Sequence, residues 1–304
     1  MKKILIALTA IASLYAHAQK FEVSNVHKVA TSTEAYHPIF TPDGKQILVS
    51  SEAYNGLGVI NLSTGAYKEL TNARSAGYYP AISADGKTVI CRNFDEMAYS
   101  TSLLSIDIEN GNIETLATGL HHFNHININN KELMVGIDGR KMKKAIRNGN
   151  ASTSNNDLFV TEEDLKVVLY NGDERIVIDP LSTPEKSVNY CWSSLSPDKQ
   201  HLLFVGGNHA YVCDLDGGNL VNLGKLHAPV WRDNQYVVGM HDTDDGSRYL
   251  TSEIEIVDIN GNNRQQLSTS SAEIKMFPAV SADGSTIAYH TLEGNIYLMN
   301  IKEK

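Results

Sequence analysis

The chain has 304 residues, 42% hydrophobic and 20% charged, a globular composition that argues against a disordered or low-complexity protein. Its formal net charge of −9 argues against a nucleic-acid partner and against a polybasic membrane binder. Three cysteines are too few for a disulfide scaffold.

The chain opens with Lys2 and Lys3, followed by an apolar stretch over residues 4–15 and then Ala16-His17-Ala18. A basic start, an apolar core and a small-x-small site are the pattern of a signal peptide. Residues 1–18 are therefore expected to be removed, leaving Gln19 at the mature N-terminus and taking the charge to −11. The apolar stretch is too short for a transmembrane helix, and no other segment approaches the roughly 20 apolar residues that one needs. A periplasmic or secreted monomer is expected. Cys91, Cys191 and Cys213 are odd in number, and Cys91 and Cys213 sit in strand-like runs. Buried, unreactive thiols are the expected state.

Residues 19–304 are dominated by a repeat. His-Pro-Ile-Phe-Thr-Pro-Asp-Gly-Lys begins at His37, and Tyr-Pro-Ala-Ile-Ser-Ala-Asp-Gly-Lys at Tyr79. Trp-Ser-Ser-Leu-Ser-Pro-Asp-Lys begins at Trp192, and Phe-Pro-Ala-Val-Ser-Ala-Asp-Gly-Ser at Phe277. Degenerate copies begin at Phe123 and His227. Each copy predicts a short strand, a tight Asp-Gly or Asn-Asn turn and an apolar strand, at 46–50, 88–92, 132–137, 201–205, 236–240 and 286–290. A third strand is expected at 58–61, 103–107, 157–160, 210–214, 254–258 and 295–300, and a more polar fourth strand follows, as at 67–70 and 263–267. Four short antiparallel strands per repeat describe a propeller blade.

The anchors Asp43, Asp85, Asn129, Asp198, Asp233 and Asp283 are spaced by 42, 44, 69, 35 and 50 residues. Only the 69-residue interval has room for another blade. Residues 157–170 within it read as one long strand, so six blades are expected. Residues 22–30 alternate without a blade of their own. They are expected to complete the last sheet and close the ring, removing its open edges. The expected fold is all-β: a six-bladed propeller of four-stranded antiparallel blades over residues 19–304.

The Ser/Thr-Pro/Ala-Asp-Gly-Lys/Ser turn, with Glu-Ile-Glu-Ile-Val-Asp-Ile-Asn-Gly-Asn-Asn-Arg-Gln-Gln-Leu at 253–267, resembles the WD40-like propeller repeat of the TolB family. The resemblance covers nearly the whole of residues 19–304. The propeller is expected to start directly after the leader, with no place for the α/β domain that precedes it in TolB. Prolyl peptidases carry similar propellers beside a hydrolase domain, but this sequence has no Gly-x-Ser-x-Gly nucleophile elbow. Oligogalacturonate lyases are propellers without a second domain and are metal-dependent through histidines. They supply the enzymatic alternative.

Six residues before each anchor stand His37, Tyr79, Phe123, Trp192, His227 and Phe277, a ring-bearing side chain in every repeat. The innermost strand of a blade starts at the central channel. These six are therefore expected to encircle one mouth as a ligand-binding collar, since such rings offer large rigid contact area with polar edges. Core packing between blades is the other reading. His121, His122 and His125 are candidate metal ligands, with His37, His227, His241 or His290 and Asp242 or Asp244 completing a shell for zinc or manganese. No His-Glu-x-x-His or Cys-x-x-Cys supports them, and no cofactor is expected outside this divalent-metal alternative. Asp242-Thr-Asp-Asp-Gly-Ser has its Gly at the fifth position where a calcium loop needs the sixth, and is read as a polar hairpin. Arg140, Lys141, Lys143, Lys144 and Arg147 form a basic patch that would suit an acidic polysaccharide or protein face. The expected function is non-enzymatic: an exported binding or scaffold propeller that meets an envelope protein or glycan at its channel mouth. A metal-dependent polysaccharide lyase is the alternative.

Overall fold

The computed structural model describes residues 20–121, 123–129, 133–138, 141–146, 158–172, 174–269 and 272–304. The expected leader, 1–18, lies outside them. Among the described residues there is no helix, and hence none that is long and apolar enough to cross a membrane.

Strand β1 (Phe21–Lys28) comes first. β2 (Tyr36–Phe40), β3 (Gln46–Ser50), β4 (Leu57–Asn61) and β5 (Tyr67–Thr71) form one sheet. β6 (Ala81–Ile82), β7 (Thr88–Asp95), β8 (Ser100–Asp107) and β9 (Ile113–Leu120) form the next. Two three-stranded sheets follow: β10 (Phe123–Asn129), β11 (Leu133–Asp138) and β12 (Lys141–Ile146), then β13 (Leu158–Glu163), β14 (Lys166–Asn171) and β15 (Glu174–Ile178). β16 (Tyr190–Leu195), β17 (His201–Gly206), β18 (His209–Asp214) and β19 (Val221–Gly224) make a four-stranded sheet. So do β20 (His227–Trp231), β21 (Tyr236–Asp244), β22 (Tyr249–Asp258) and β23 (Gln265–Gln266). β24 (Lys275–Val280), β25 (Thr286–Thr291) and β26 (Ile296–Glu303) are completed on the outside by β1, in the order β1-β26-β25-β24. Phe21 pairs with Glu303 and Lys28 with Tyr297, so the ring closes between the two ends of the chain, as the alternating N-terminal segment predicts.

The core lies between sheets rather than inside any one of them. Leu48 and Val59 of the first sheet meet Val89, Cys91 and Ile106 of the second. Ile47 and Ile60 on the opposite face of the first sheet meet Ala288, Ile296 and Leu298 of the last. Sheets packed face to face around a circle are a β-propeller.

The repeat motif is explained by its turn. Thr41, Ser83, Ser196 and Ser281 donate to Asp43, Asp85, Asp198 and Asp283 at 2.6–2.7 Å. The same hydroxyls accept the backbone N–H of Gln46, Thr88, His201 and Thr286 at 2.9–3.1 Å. The hydroxyl bond holds each aspartate below its ordinary pKa, with the backbone N–H two residues on adding to the effect. Gly44, Gly86 and Gly284 take the left-handed backbone that ends the turn, and Lys199 takes it at φ 59 in the remaining copy.

The 69-residue interval departs from expectation. It carries two three-stranded sheets, so the described strands group into seven sheets, while the six repeats still supply one innermost strand each. The segment read as one long strand, 157–170, folds back on itself at Asp164-Leu165. Both residues have positive φ, 50 and 61, and Glu163 pairs directly with Lys166. This is a two-residue hairpin of the primed type, made without the usual glycine. The third strand expected at 157–160 is instead the start of β13, and β12 takes its place.

Candidate functional site

The innermost strands surround a channel of about 740 Å³, lined among others by His37, Tyr54, Tyr79, Val160, Trp192 and Phe277. At its entrance β2, β16, β20 and β24 each carry a β-bulge. The register breaks between Tyr36 and Ile39, Cys191 and Ser194, His227 and Val230, and Met276 and Ala279. At the break sit His37, Trp192 and Phe277 with φ of 53, 55 and 48, and Tyr79 has φ 49 ahead of its short strand β6. A bulge re-aims the side chain it carries, and these four rings line the channel.

His227 does not share that position. In the first repeat the turn is closed by Thr41 N to Gln46 O, five residues apart, but in this one by Arg232 N to Tyr236 O, four apart. The shorter hairpin moves the equivalent position to Ala228, which has φ 42 and lines the channel. A proline marks the true column: Pro38, Pro80 and Pro278 follow His37, Tyr79 and Phe277, and Pro229 follows Ala228. Proline is tolerated here because these are edge strands and Pro38, Pro229 and Pro278 fall in the breaks of the ladder, where no paired N–H is lost. His227 lies one residue behind, with its ring 5.8 Å from that of Trp192. Its Nδ1 faces Asp242 Oδ1 at 2.7 Å and its Nε2 faces Asn208 Oδ1 at 2.8 Å. Burial alone would raise the Asp242 carboxyl, but the His227 bond and the charges of His227 and Lys225 hold it below its ordinary value. The group ties two neighbouring sheets together.

On one side of the mouth the rings form a continuous chain. Phe277 stacks on His290 at 5.5 Å and meets His37 edge-on at 4.9 Å. His37 stacks on Tyr54 at 3.8 Å, Tyr54 meets Tyr78 edge-on at 5.4 Å, and Tyr78 meets Tyr79 at 4.8 Å. The buried guanidinium of Arg92 lies over Tyr78 at 5.0 Å. Burial lowers the pKa of His37, against a hydrogen bond to the Glu52 carbonyl, and pushes the Tyr54 hydroxyl up to about 12. Burial also raises Tyr79, reinforced by the charge of Glu162.

Two contributors are not in the predicted column. Tyr54 arrives from the β3–β4 hairpin, and no periodicity marks it. Glu162 lies on β13 two residues beyond Val160, so on the same face of the strand. Its Oε1 accepts Ser193 N–H at 2.6 Å, next to Trp192. β13 thus runs toward the mouth, opposite to the innermost strands of the repeats, and sets a carboxylate against the Ser193 backbone, beside the ring-lined channel.

Of the remaining candidates, Phe123 begins β10 opposite Asp138, with a bulge before Ile126. His121 is exposed, with Nδ1 3.1 Å from the Tyr99 carbonyl. His125 is on β10, and His122 lies outside the described residues. Lys141, Lys143 and Lys144 are on β12, while Arg140 and Arg147 lie outside the described residues. Among the described residues no three His, Cys, Asp or Glu side chains gather as metal ligands do. Asp242 to Ser247 form the β21–β22 hairpin, where Asp245 caps Ser247 and Arg248. All three cysteines are free; Cys91 and Cys213 are buried but Cys191 is exposed, because the bulge beside Trp192 turns it out of the sheet packing.

No family model matches the chain, and no curated protein does. Among solved structures, TolB from Acinetobacter baumannii superposes with a TM-score of 0.53 at 18% identity, over 81% of this chain and 56% of that one. The chain thus shares the TolB-like propeller fold and spans little more than half the length of that relative.

Proposed function

We propose that the protein is an exported, non-enzymatic binding propeller of the cell envelope that recognises a partner at the mouth of its channel, a protein in preference to a glycan. The observation that carries this reading is the convergence of His37, Tyr79, Trp192 and Phe277 on one channel of about 740 Å³. Rigid rings around a largely apolar opening give a partner contact area at low entropic cost. The TolB-like fold supports a binding role, and the residue 1–18 pattern supports export. Ala228 stands on the channel where the repeat predicts a ring.

The test uses residues 19–304 as bait for envelope proteins and glycans. Tyr79→Ala and Trp192→Ala, each checked for a retained unfolding transition, are expected to lose the partners that wild type retains. Unchanged partners in both variants would overturn the reading.

A further inference from the structure

Glu162 differs from Glu163, Glu253 and Glu255. Glu163 is bound by Arg175 at 2.7 Å, Glu253 by Lys275 at 3.0 Å, and Glu255 by Arg264. Glu162 makes no ion pair with any described Lys, Arg or His, and its partner is the Ser193 N–H. Burial raises its carboxyl above the ordinary glutamate value, against that hydrogen bond. A carboxylate withdrawn from water without a cation is costly to maintain. Its surroundings would suit one: Tyr79, on whose hydroxyl its charge bears, and Trp192, adjacent to Ser193, both line the channel. Aromatic faces attract a cation electrostatically, most strongly where water is excluded.

We propose that the channel mouth takes a lysine or arginine side chain of a partner protein, with Glu162 as counter-charge and Tyr79 and Trp192 as aromatic walls. The inference rests on the channel reading above and names its ligand class. The net charge of −11 on residues 19–304 favours encounter with such a partner.

Both tryptophans of the protein, Trp192 and Trp231, line the channel, so intrinsic fluorescence reports occupancy directly. The probes are capped heptapeptides of glycine with a central lysine, norleucine or glutamate. The lysine peptide is expected to bind at least tenfold more tightly than the other two. Glu162→Gln, which keeps an acceptor for Ser193 N–H, is expected to bring the lysine peptide to within twofold of norleucine while its unfolding midpoint stays at the wild-type value. Equal binding of lysine and norleucine by wild type, a lysine preference that survives Glu162→Gln, or no response to any peptide would each overturn the inference. The channel reading fails separately. If Glu162→Gln retains envelope partners that Tyr79→Ala loses, the channel binds but not through a cation. If Tyr79→Ala and Trp192→Ala retain them too, both proposals fall.

Discussion

His290 is 3% exposed, stacked on Phe277 and edge-on to Tyr36, and its Nδ1 bonds the Thr291 carbonyl at 3.0 Å. Burial lowers its pKa from 6.5 to about 4, with the nearby His37 acting in the same direction. A histidine whose folded pKa lies below its unfolded value contributes stability that is complete above the unfolded pKa. That stability is lost as pH falls toward the folded pKa, because the unfolded chain takes up the proton first. The loss between pH 7 and pH 4 is ~3 kcal/mol at order of magnitude. His290→Phe keeps a ring among rings and removes the titration. Its denaturation midpoint is expected to fall less than that of wild type between pH 7 and pH 4.5 in urea titrations. Parallel curves for the two proteins would refute this role.

Among the elements, the Ser/Thr-x-Asp-Gly turn is the clearest example of sequence dictating local structure. Hydroxyl, carboxylate and glycine each satisfy a named backbone need, and so the motif is legible, the first two in four copies and the glycine in three. Lys199 holds the glycine position with φ 59, where a side chain with a Cβ is strained. Lys199→Gly is expected to stabilise the protein by about 1 kcal/mol, read as a higher unfolding temperature. A lower temperature would show that the lysine side chain contributes contacts worth more than the strain. The same local rules explain what could not be read. The hairpin at Asp164-Leu165 lacks the glycine or asparagine that announces such a turn, so one strand was expected where two form. The channel position shared by His37, Tyr79, Trp192 and Phe277 is legible because each stands six residues before the anchor of its repeat. It slipped by one residue at His227 because a shortened hairpin leaves the anchor intact while changing the count. Tyr54 reaches the channel, and Glu162 the Ser193 backbone beside it, through tertiary geometry alone, one from a hairpin and one on a strand of reversed direction, and no local pattern encodes either.

For the molecule as a whole, stability depends on closing the circle. Phe21 anchors the closing strand: it is 1% exposed, edge-on to Tyr236 at 5.0 Å and covered by the Arg232 guanidinium at 5.0 Å. Its backbone N–H and carbonyl are both held by the Gln265 side chain of the neighbouring sheet, at 2.9 and 2.8 Å. Phe21→Ala is expected to cost about 3–5 kcal/mol, the usual range for deleting a buried phenylalanine. It should also expose β26 as an edge prone to pairing with other chains. Thermal unfolding and light scattering measure the two effects; an unchanged transition would mean that the ring holds without its clasp.

The clasp has a direction. Because β1 and β26 are antiparallel, Lys20 and Lys304 leave the sheet at the same end, joined by Lys304 N to Lys20 O at 2.9 Å. Tension applied between these two residues loads the ladder one hydrogen bond at a time, like a zip opened from its end, rather than shearing all of them together. A pull between the two ends is therefore expected to open the ring at a lower force than the same pull applied along the strands.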